Sequence, residues 1–305
     1  MKTRRIFIRT TGLATAGMAL VPGCAPSAKK EETQTPAPVE AVQQPTEKDI
    51  GLQIYTVRNQ IAEDLEATMK AVADTGYNQV EIFSYDNGQY FGLAAEDFYK
   101  MLSKYGLTPI SSHHPTGRTQ PEIVGSMTNG WQQAVDHAAL AGQKYMVMPY
   151  LRDDERSLEH YKALPEMLNK AGEVVKAAGM QLCYHNHDFE FVEMEEILPM
   201  YYILDNTDPE LVKMELDLYW ITKAGYDPIA FFEKYPGRTP LWHVKDMDDT
   251  PEQRFAEVGT GVIDFETIFA NKDKSGMTHF FVEQDQSEDP LKSISISYEN
   301  VFELA

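Results

Sequence analysis

The sequence has little cysteine, little positive charge and no long hydrophobic run. Only two of its 305 residues are cysteine, Cys24 and Cys183. If Cys24 is used for lipid attachment, as argued below, Cys183 has no partner and the mature chain has no internal disulfide. Lysine and arginine number 27 against 47 aspartates and glutamates, a formal net charge of −20. Residues 1–47 are net +2, which leaves −22 on the rest. That field repels polyanions, so a nucleic-acid partner is not expected. A neutral sugar is indifferent to it, and a divalent cation is attracted. The apolar stretch near the N-terminus is too short and too rich in Gly and Thr to predict a membrane span. No GxGxxG follows the first apolar run, which removes the main sign of a dinucleotide-binding open sheet.

What is present supports a packed core. Hydrophobic residues make up 43% of the chain, with 16 Tyr, 14 Phe and 3 Trp, and disorder is excluded as the default.

"MKTRRIFIRTTGLATAGMALVPGC" has a basic start, an apolar middle and a small-residue end, the layout of an export signal. Arg4 and Arg5 match a twin-arginine signal, whose route exports folded proteins. "VPGC" resembles a lipobox ending at Cys24, with Pro22 off the usual pattern; the other reading is plain secretion with cleavage nearby. Residues 1–24 are therefore expected to be a lipoprotein signal and Cys24 the lipidated residue. Residues 25–47 are rich in Pro, Thr, Gln and Glu, cannot bury a core, and predict a flexible tether. The expected location is the periplasm or outer membrane of a bacterium, with membrane contact through the lipid alone. Export of a folded chain also suits an enzyme that takes up its metal in the cytoplasm.

From residue 48 to 305 short apolar runs alternate with helical patterns. Strands are expected at 50–57, 79–83, 107–113, 145–150, 181–187, 212–218, 240–246 and 279–285. Between the first two, Ile61, Leu65, Met69 and Val72 recur at helical spacing and Gly76 marks the stop. "AAEDFYKMLSKYG" and "HYKALPEMLNKAGEVVKAAG" repeat the pattern, and residues 289–305 read as a closing helix. Alternation implies parallel pairing. Eight units in about 255 residues fit a (β/α)8 TIM barrel, an α/β fold.

In such barrels chemistry lies at the carboxyl ends of the strands. Those ends are polar here: Gln53 and Tyr55, Glu81, Ser111 and His113, His185 and His187, Glu215 and Asp217, His243 and Lys245, Glu283 and Asp285. Residues two apart on a strand share a face. Buried charge is costly unless paired or bound to metal, so a ring of such residues is hard to explain as packing. Two imidazoles on one face, His185 and His187, can bind a metal, exchange protons, or hydrogen-bond within a core.

"GLQIYTVR", "GYNQVEIF", "YHNHDFEF", "ELDLYW", "WHVKDMD", "GTGVIDF" and "FVEQD", in this order on successive strands, resemble the sugar phosphate isomerase/epimerase family of xylose-isomerase-like barrels. The resemblance covers residues 50–305. It implies one divalent ion, with Mn, Co or Zn expected and Mg admitted, held by one ligand from each of the last four strands. The matching residues are His185, Asp217, His243 and Glu283, separated by 32, 26 and 40 residues. Mixed imidazole and carboxylate ligation suits such metals better than calcium.

One position departs from the commoner family pattern. Where many epimerases carry a carboxylate on the fifth strand, this chain has His185, so a symmetric exchange of protons between two glutamates is not available. Glu283 remains as a base, with His187 or Glu190 as a second proton acceptor. Dehydration or β-elimination beside a carbonyl gains weight over simple epimerisation.

The remaining candidates carry alternatives. Lys245 either steadies an oxyanion or forms a salt bridge to Glu215 or Asp217. Glu190 is a base or a cap. Glu81 holds a substrate hydroxyl or pairs with Lys245. Gln53, Tyr55, His113 and Glu215 are expected to bind substrate or to line a polar barrel floor, and His114 to face the helices. Trp220 either stacks on a sugar or belongs to the core. "GTG" at 259–261 reads as a turn before a helix capped by Asp264.

The expected function is a metal-dependent sugar isomerase, epimerase or lyase. It would act through a metal-stabilised enediolate on a free sugar, a keto-sugar or an inositol, since phosphorylated sugars are chiefly cytoplasmic. A non-catalytic sugar-binding lipoprotein is the alternative, and a metal-dependent phosphodiesterase or endonuclease a weaker one. The expected partner is a small carbohydrate, and a homodimer is left open.

Overall fold

The computed structural model describes residues 48–304. The expected export signal (1–24), linker (25–47) and lipidated Cys24 lie outside the described residues. Eight strands, β1 (Gly51–Gln53), β2 (Gln79–Ile82), β3 (Thr108–His113), β4 (Tyr145–Met148), β5 (Gln181–His185), β6 (Val212–Asp217), β7 (Leu241–Val244) and β8 (His279–Val282), form a closed barrel. They follow one another round the ring in chain order, every pair is parallel, and β8 pairs with β1.

Helices α1 (Leu65–Thr75), α2 (Ala95–Lys104), α3 (Trp131–Leu140), α4 (Leu158–Ala177), α5 (Pro199–Asp205), α6 (Pro228–Lys234) and α7 (Phe265–Phe269) return the chain between strands, and α8 (Pro290–Leu304) follows the last strand. Their ends are written in local chemistry. Asp64, Ser157, Asp227 and Asp264 each accept a backbone N–H of the helix they start, which satisfies a donor that the first turn leaves free. Gly76 closes α1 at φ +118°, a conformation that costs a residue with a side chain.

The main core lies between the strands and the helices, where Met69, Val72, Phe98, Leu102, Leu164 and Leu168 are buried among other apolar side chains. A second, small cluster of Ile110, Val147, Cys183, Leu241 and Phe281 fills the barrel interior. Phe281 fits there because residue 51 is glycine. A Cβ at that position would stand 2.4 Å from the Phe281 ring and 2.6 Å from the Phe280 carbonyl.

Three features depart from the sequence expectation. The first strand, expected over 50–57, ends at Gln53, because the Gln53 side chain accepts the N–H of Tyr55 and turns the chain into a 3-10 helix, Ile54–Val57. Three short strands, Tyr85–Asp86, Gln89–Tyr90 and Leu93–Ala94, form a meander after β2. Asp246–Met247 pairs with Phe255–Ala256 in a hairpin after β7. The loop that follows is wrapped on one carboxylate: Asp246 accepts the N–H groups of Met247, Gly259, Gly261 and Ile263. Gly261 and Gly259 thus spend their N–H groups inside the protein, so "GTG" is a turn rather than an anion cradle.

Candidate metal centre and cleft

Parallel pairing sets neighbouring strands in register, and that register gathers the histidines and carboxylates. Asp217 pairs with His243 across β6 and β7, and His185 pairs with Glu215 across β5 and β6. His185, Asp217 and His243 converge: His185 Nε2 stands 3.7 Å from Asp217 Oδ2, and His243 Nδ1 4.0 Å from the same oxygen. Glu283, one residue past β8, brings Oε2 to 2.7 Å from His243 Nδ1. Two ligands about 2.1 Å from a tetrahedral ion are about 3.4 Å apart, so His185, Asp217 and His243 fit a shared cation after small movements, and Glu283 can join them by exchanging its contact with Lys245 for the ion.

A second layer lies beneath. Glu215 Oε2 is 3.0 Å from His185 Nδ1 and 3.2 Å from His243 Nε2. Glu81 Oε1 is 2.7 Å from His243 Nε2 and from His113 Nε2, and Gln53 and Ser111 donate to the same carboxylate. Gln53, Glu81 and Glu215 have no exposed surface. The structure therefore seats these three beneath the cleft, on the imidazoles and on one another, instead of on its walls. Glu81 makes no pair with Lys245. Carboxylates behind metal-binding histidines fix ring orientation and raise ligand basicity, and Glu215 faces both rings.

The charge states follow. Burial and the nearby His243 hold the His185 pKa well below its ordinary value, so its ring is neutral. Its Nδ1–H donates to Glu215, and Nε2 keeps a lone pair towards Asp217. For His243, burial opposes the charge, but the carboxylates of Glu215, Glu283 and Glu81 outweigh it and raise the pKa well above normal. Burial likewise opposes charge on His113, yet Glu81 and Glu215 lift its pKa to about 9. Asp217 Oδ2 is buried and has no hydrogen-bond donor aligned on it.

Lys245 supplies positive charge at this point. Its Nζ lies 2.7 Å from Glu283 Oε2, 3.0 Å from Asp217 Oδ2 and 3.2 Å from Asp285 Oδ2. Burial disfavours its charge, but Asp217, Asp285 and Glu283 together keep it firmly protonated. Burial would also raise Glu283, but Lys245 and His243 prevail and hold that carboxyl low and ionised.

Above these groups opens a cleft of about 550 Å³, walled among others by Tyr55, His113, His187, Lys245 and Glu283. Its position at the carboxyl ends of the strands is where barrel folds carry chemistry. His187 stacks on Phe189 at 5.3 Å, and its Nδ1 has no hydrogen-bond partner. Glu190 does not reach the cleft. It is buried behind β5, accepting from the Tyr184 hydroxyl at 2.6 Å and the His187 N–H at 2.7 Å. Its neighbour Tyr184 faces away from the barrel interior, and Glu190 follows it. Trp220 stands beside the cleft, 5.2 Å from the His187 ring. His114 does face the helices, bonded to Ser112 and to the Gly125 carbonyl. Arg58, Tyr150 and Gln286 also line the cleft. No pattern of spacing marks them: Arg58 opens a short helix, Arg58–Glu63, and Tyr150 and Gln286 sit on loops just beyond a strand.

The fold and a family match over residues 69–296 agree. The chain belongs to the xylose isomerase-like TIM barrel family. Within this family it is 28% identical to a sugar phosphate isomerase/epimerase from Parabacteroides distasonis, with a TM-score of 0.73 over 88% of this chain and 99% of that one. It is 30% identical over 157 residues to an inosose dehydratase from Clostridium perfringens. That match takes in 46% of this chain and spans about half, 52%, of the dehydratase. The barrel of the IolI protein, which holds a zinc atom, superimposes with a TM-score of 0.64 at 14% identity over 84% of this chain and 98% of its own. That likeness shows the fold alone.

Proposed function

We propose that this protein is a divalent-metal-dependent enzyme acting on a carbohydrate beside its carbonyl group, as an isomerase, epimerase or lyase. The carrying observation is the convergence of His185, Asp217 and His243 from three consecutive strands onto one buried point, with Glu283, just past the next strand, against His243. Two imidazole nitrogens and two carboxylates, with an Asp217 oxygen that meets only the Lys245 ammonium, suit Mn, Co or Zn. A cation bound there supplies Lewis-acid polarisation of a carbonyl and lowers the acidity barrier at the adjacent carbon.

The chain's own groups supply the rest. Glu283 is ionised and borders the cleft, so it is placed to take the proton. Glu215 and Glu81 hold the imidazole rings still. Lys245, carrying three protons 2.7 Å from Glu283, is the group placed to donate towards a departing or developing oxyanion. This pairing of unlike groups, a carboxylate base beside an ammonium donor, supports dehydration or β-elimination over exchange between two equal bases. The relatives called inosose dehydratases agree with that preference. The export signal expected in residues 1–24 adds that the sugar is unphosphorylated and the enzyme a periplasmic or outer-membrane lipoprotein.

The test is NMR in deuterated water of manganese-loaded full-length protein with free and 3-keto sugars. Deuterium should enter at a carbon next to the carbonyl, and Glu283→Gln should lose this by at least about a hundredfold. A sugar-binding protein without activity would introduce no label, and one metal per chain is expected where a phosphodiesterase site would hold two or three. Wild-type rates in Glu283→Gln would remove that residue from its role.

A further inference from the structure

A second cavity, of about 750 Å³, opens directly beside the cleft. The two share Arg58, Asp285 and Gln286 as a common rim. The partition elsewhere is two side chains thick. His187 and Lys245 line the cleft, whereas Trp220 and Phe255 line the second cavity. His187 stands 5.2 Å from the Trp220 ring, and Lys245 Nζ lies 5.8 Å from Trp220 and 5.6 Å from Phe255.

The aromatic side of this cavity is held in place before any ligand arrives. Tyr219 packs against Phe255 at 4.5 Å and against Trp220 at 4.8 Å, and its hydroxyl donates to the Gln253 carbonyl. Phe255 is fixed in turn by the pairing of its strand with Met247. Facing the rings are amides, Asn59, Gln253 and Gln286, and an even set of charges: Arg58, Lys223 and Arg254 against Glu252, Asp285 and Glu288. An anion or a cation gains little from such a balanced rim. A neutral ring with one apolar face and many hydroxyls uses both the aromatic wall and the polar edge.

We propose that this cavity is a second sugar subsite, and that the substrate is a glycoside or disaccharide. Its reacting ring occupies the cleft, and its other ring lies against Phe255 and Trp220. The linkage between rings crosses the rim formed by Arg58, Asp285 and Gln286. This inference rests on the carbohydrate reading above and specifies its substrate class.

The test is calorimetric titration of manganese-loaded full-length protein with glucose, maltose, cellobiose and trehalose, each as such and oxidised to the ketone. At least one disaccharide should bind about tenfold more tightly than its monosaccharide. Phe255→Ala, on a partly exposed hairpin, should abolish that advantage and leave the monosaccharide affinity unchanged. Disaccharides no tighter than monosaccharides, or a Phe255→Ala loss shared equally by both, would overturn the second subsite. If monosaccharides bind and take up deuterium in those cases, the proposed function survives the loss of the subsite. If no sugar binds and none exchanges, both fail.

Discussion

Glu215 and Asp217 show how much one rung of a strand decides. They are two residues apart on the same face of β6 and so about 6.6 Å apart along it. Asp217 stands among the proposed ligands, and Glu215 lies beneath, accepting from His185 and approaching His243. The alternation that marks both as inward-facing is legible in the sequence, but depth along the barrel axis is not, and depth separates a ligand from a group that orients ligands. One oxygen, Oε2, serves both rings while Oε1 has no partner, so replacing Glu215 with Gln removes chiefly the negative charge behind the two imidazoles. Manganese affinity should fall about 10–100-fold with the fold intact, by competition with a chromophoric chelator; an unchanged affinity would sink this role. Glu190 is a different case of a buried acid. Desolvation raises its pKa to about 7 from 4.5, against hydrogen bonds from Tyr184 and His187 that lower it. Below the lower value both folded and unfolded forms hold the proton. Between the two the unfolded chain ionises first, so stability falls as pH rises, by up to about 3 kcal/mol in all. In Glu190→Gln the difference between urea stabilities at pH 5 and pH 8 should shrink accordingly. An identical slope in both proteins would place the ionisation elsewhere.

At the scale of elements, the positions of the strands were readable because each is a short apolar run between turn signals, and those of the helices because Asp, Ser and Gly punctuate them. The expected run at 181–187 appears as β5 and that at 212–218 as β6, with ends trimmed by one or two residues. What escaped were pieces without period: the two-residue strands of the 85–94 meander and the hairpin carrying Phe255. Two residues cannot show alternation, and their pairing comes from loop contacts distant in sequence. The floor of the barrel was equally hidden, since Phe281 reads as one aromatic in an apolar strand. Its room depends on Gly51 in the neighbouring strand. Gly51→Ala should cost about 1–3 kcal/mol, because both a ring and a backbone carbonyl must shift. A urea midpoint equal to wild type would show that the floor yields freely.

Across the whole molecule, net charge and the buried centre act in the same direction. The chain carries −20 overall, and the centre joins five carboxylates, Glu81, Glu215, Asp217, Glu283 and Asp285, to the positive charges of His113, His243 and Lys245. A divalent ion adds positive charge where acids are in excess, and long-range attraction favours its arrival. Because the proposed ligands come from β5, β6, β7 and the end of β8, an ion among them would tie half of the barrel ring together, which the unfolded chain cannot do. Binding to the folded state alone stabilises it by about 2.7 kcal/mol at a hundred times the dissociation constant. Chelator-treated protein should therefore unfold at lower urea than the manganese-loaded form, and readdition of manganese should restore the midpoint. Asp217→Asn keeps the shape of the side chain but removes one of the two ligand carboxylates, and should lose most of this response. Loading also has to remove the proton shared by His243 Nδ1 and Glu283. Since the surrounding carboxylates hold the His243 pKa well above normal, falling pH strengthens the proton's competition and should shrink the manganese-induced shift. A shift that stays constant from pH 8 to pH 6, or that survives in Asp217→Asn, would mean that the ion binds somewhere other than this ring of four side chains.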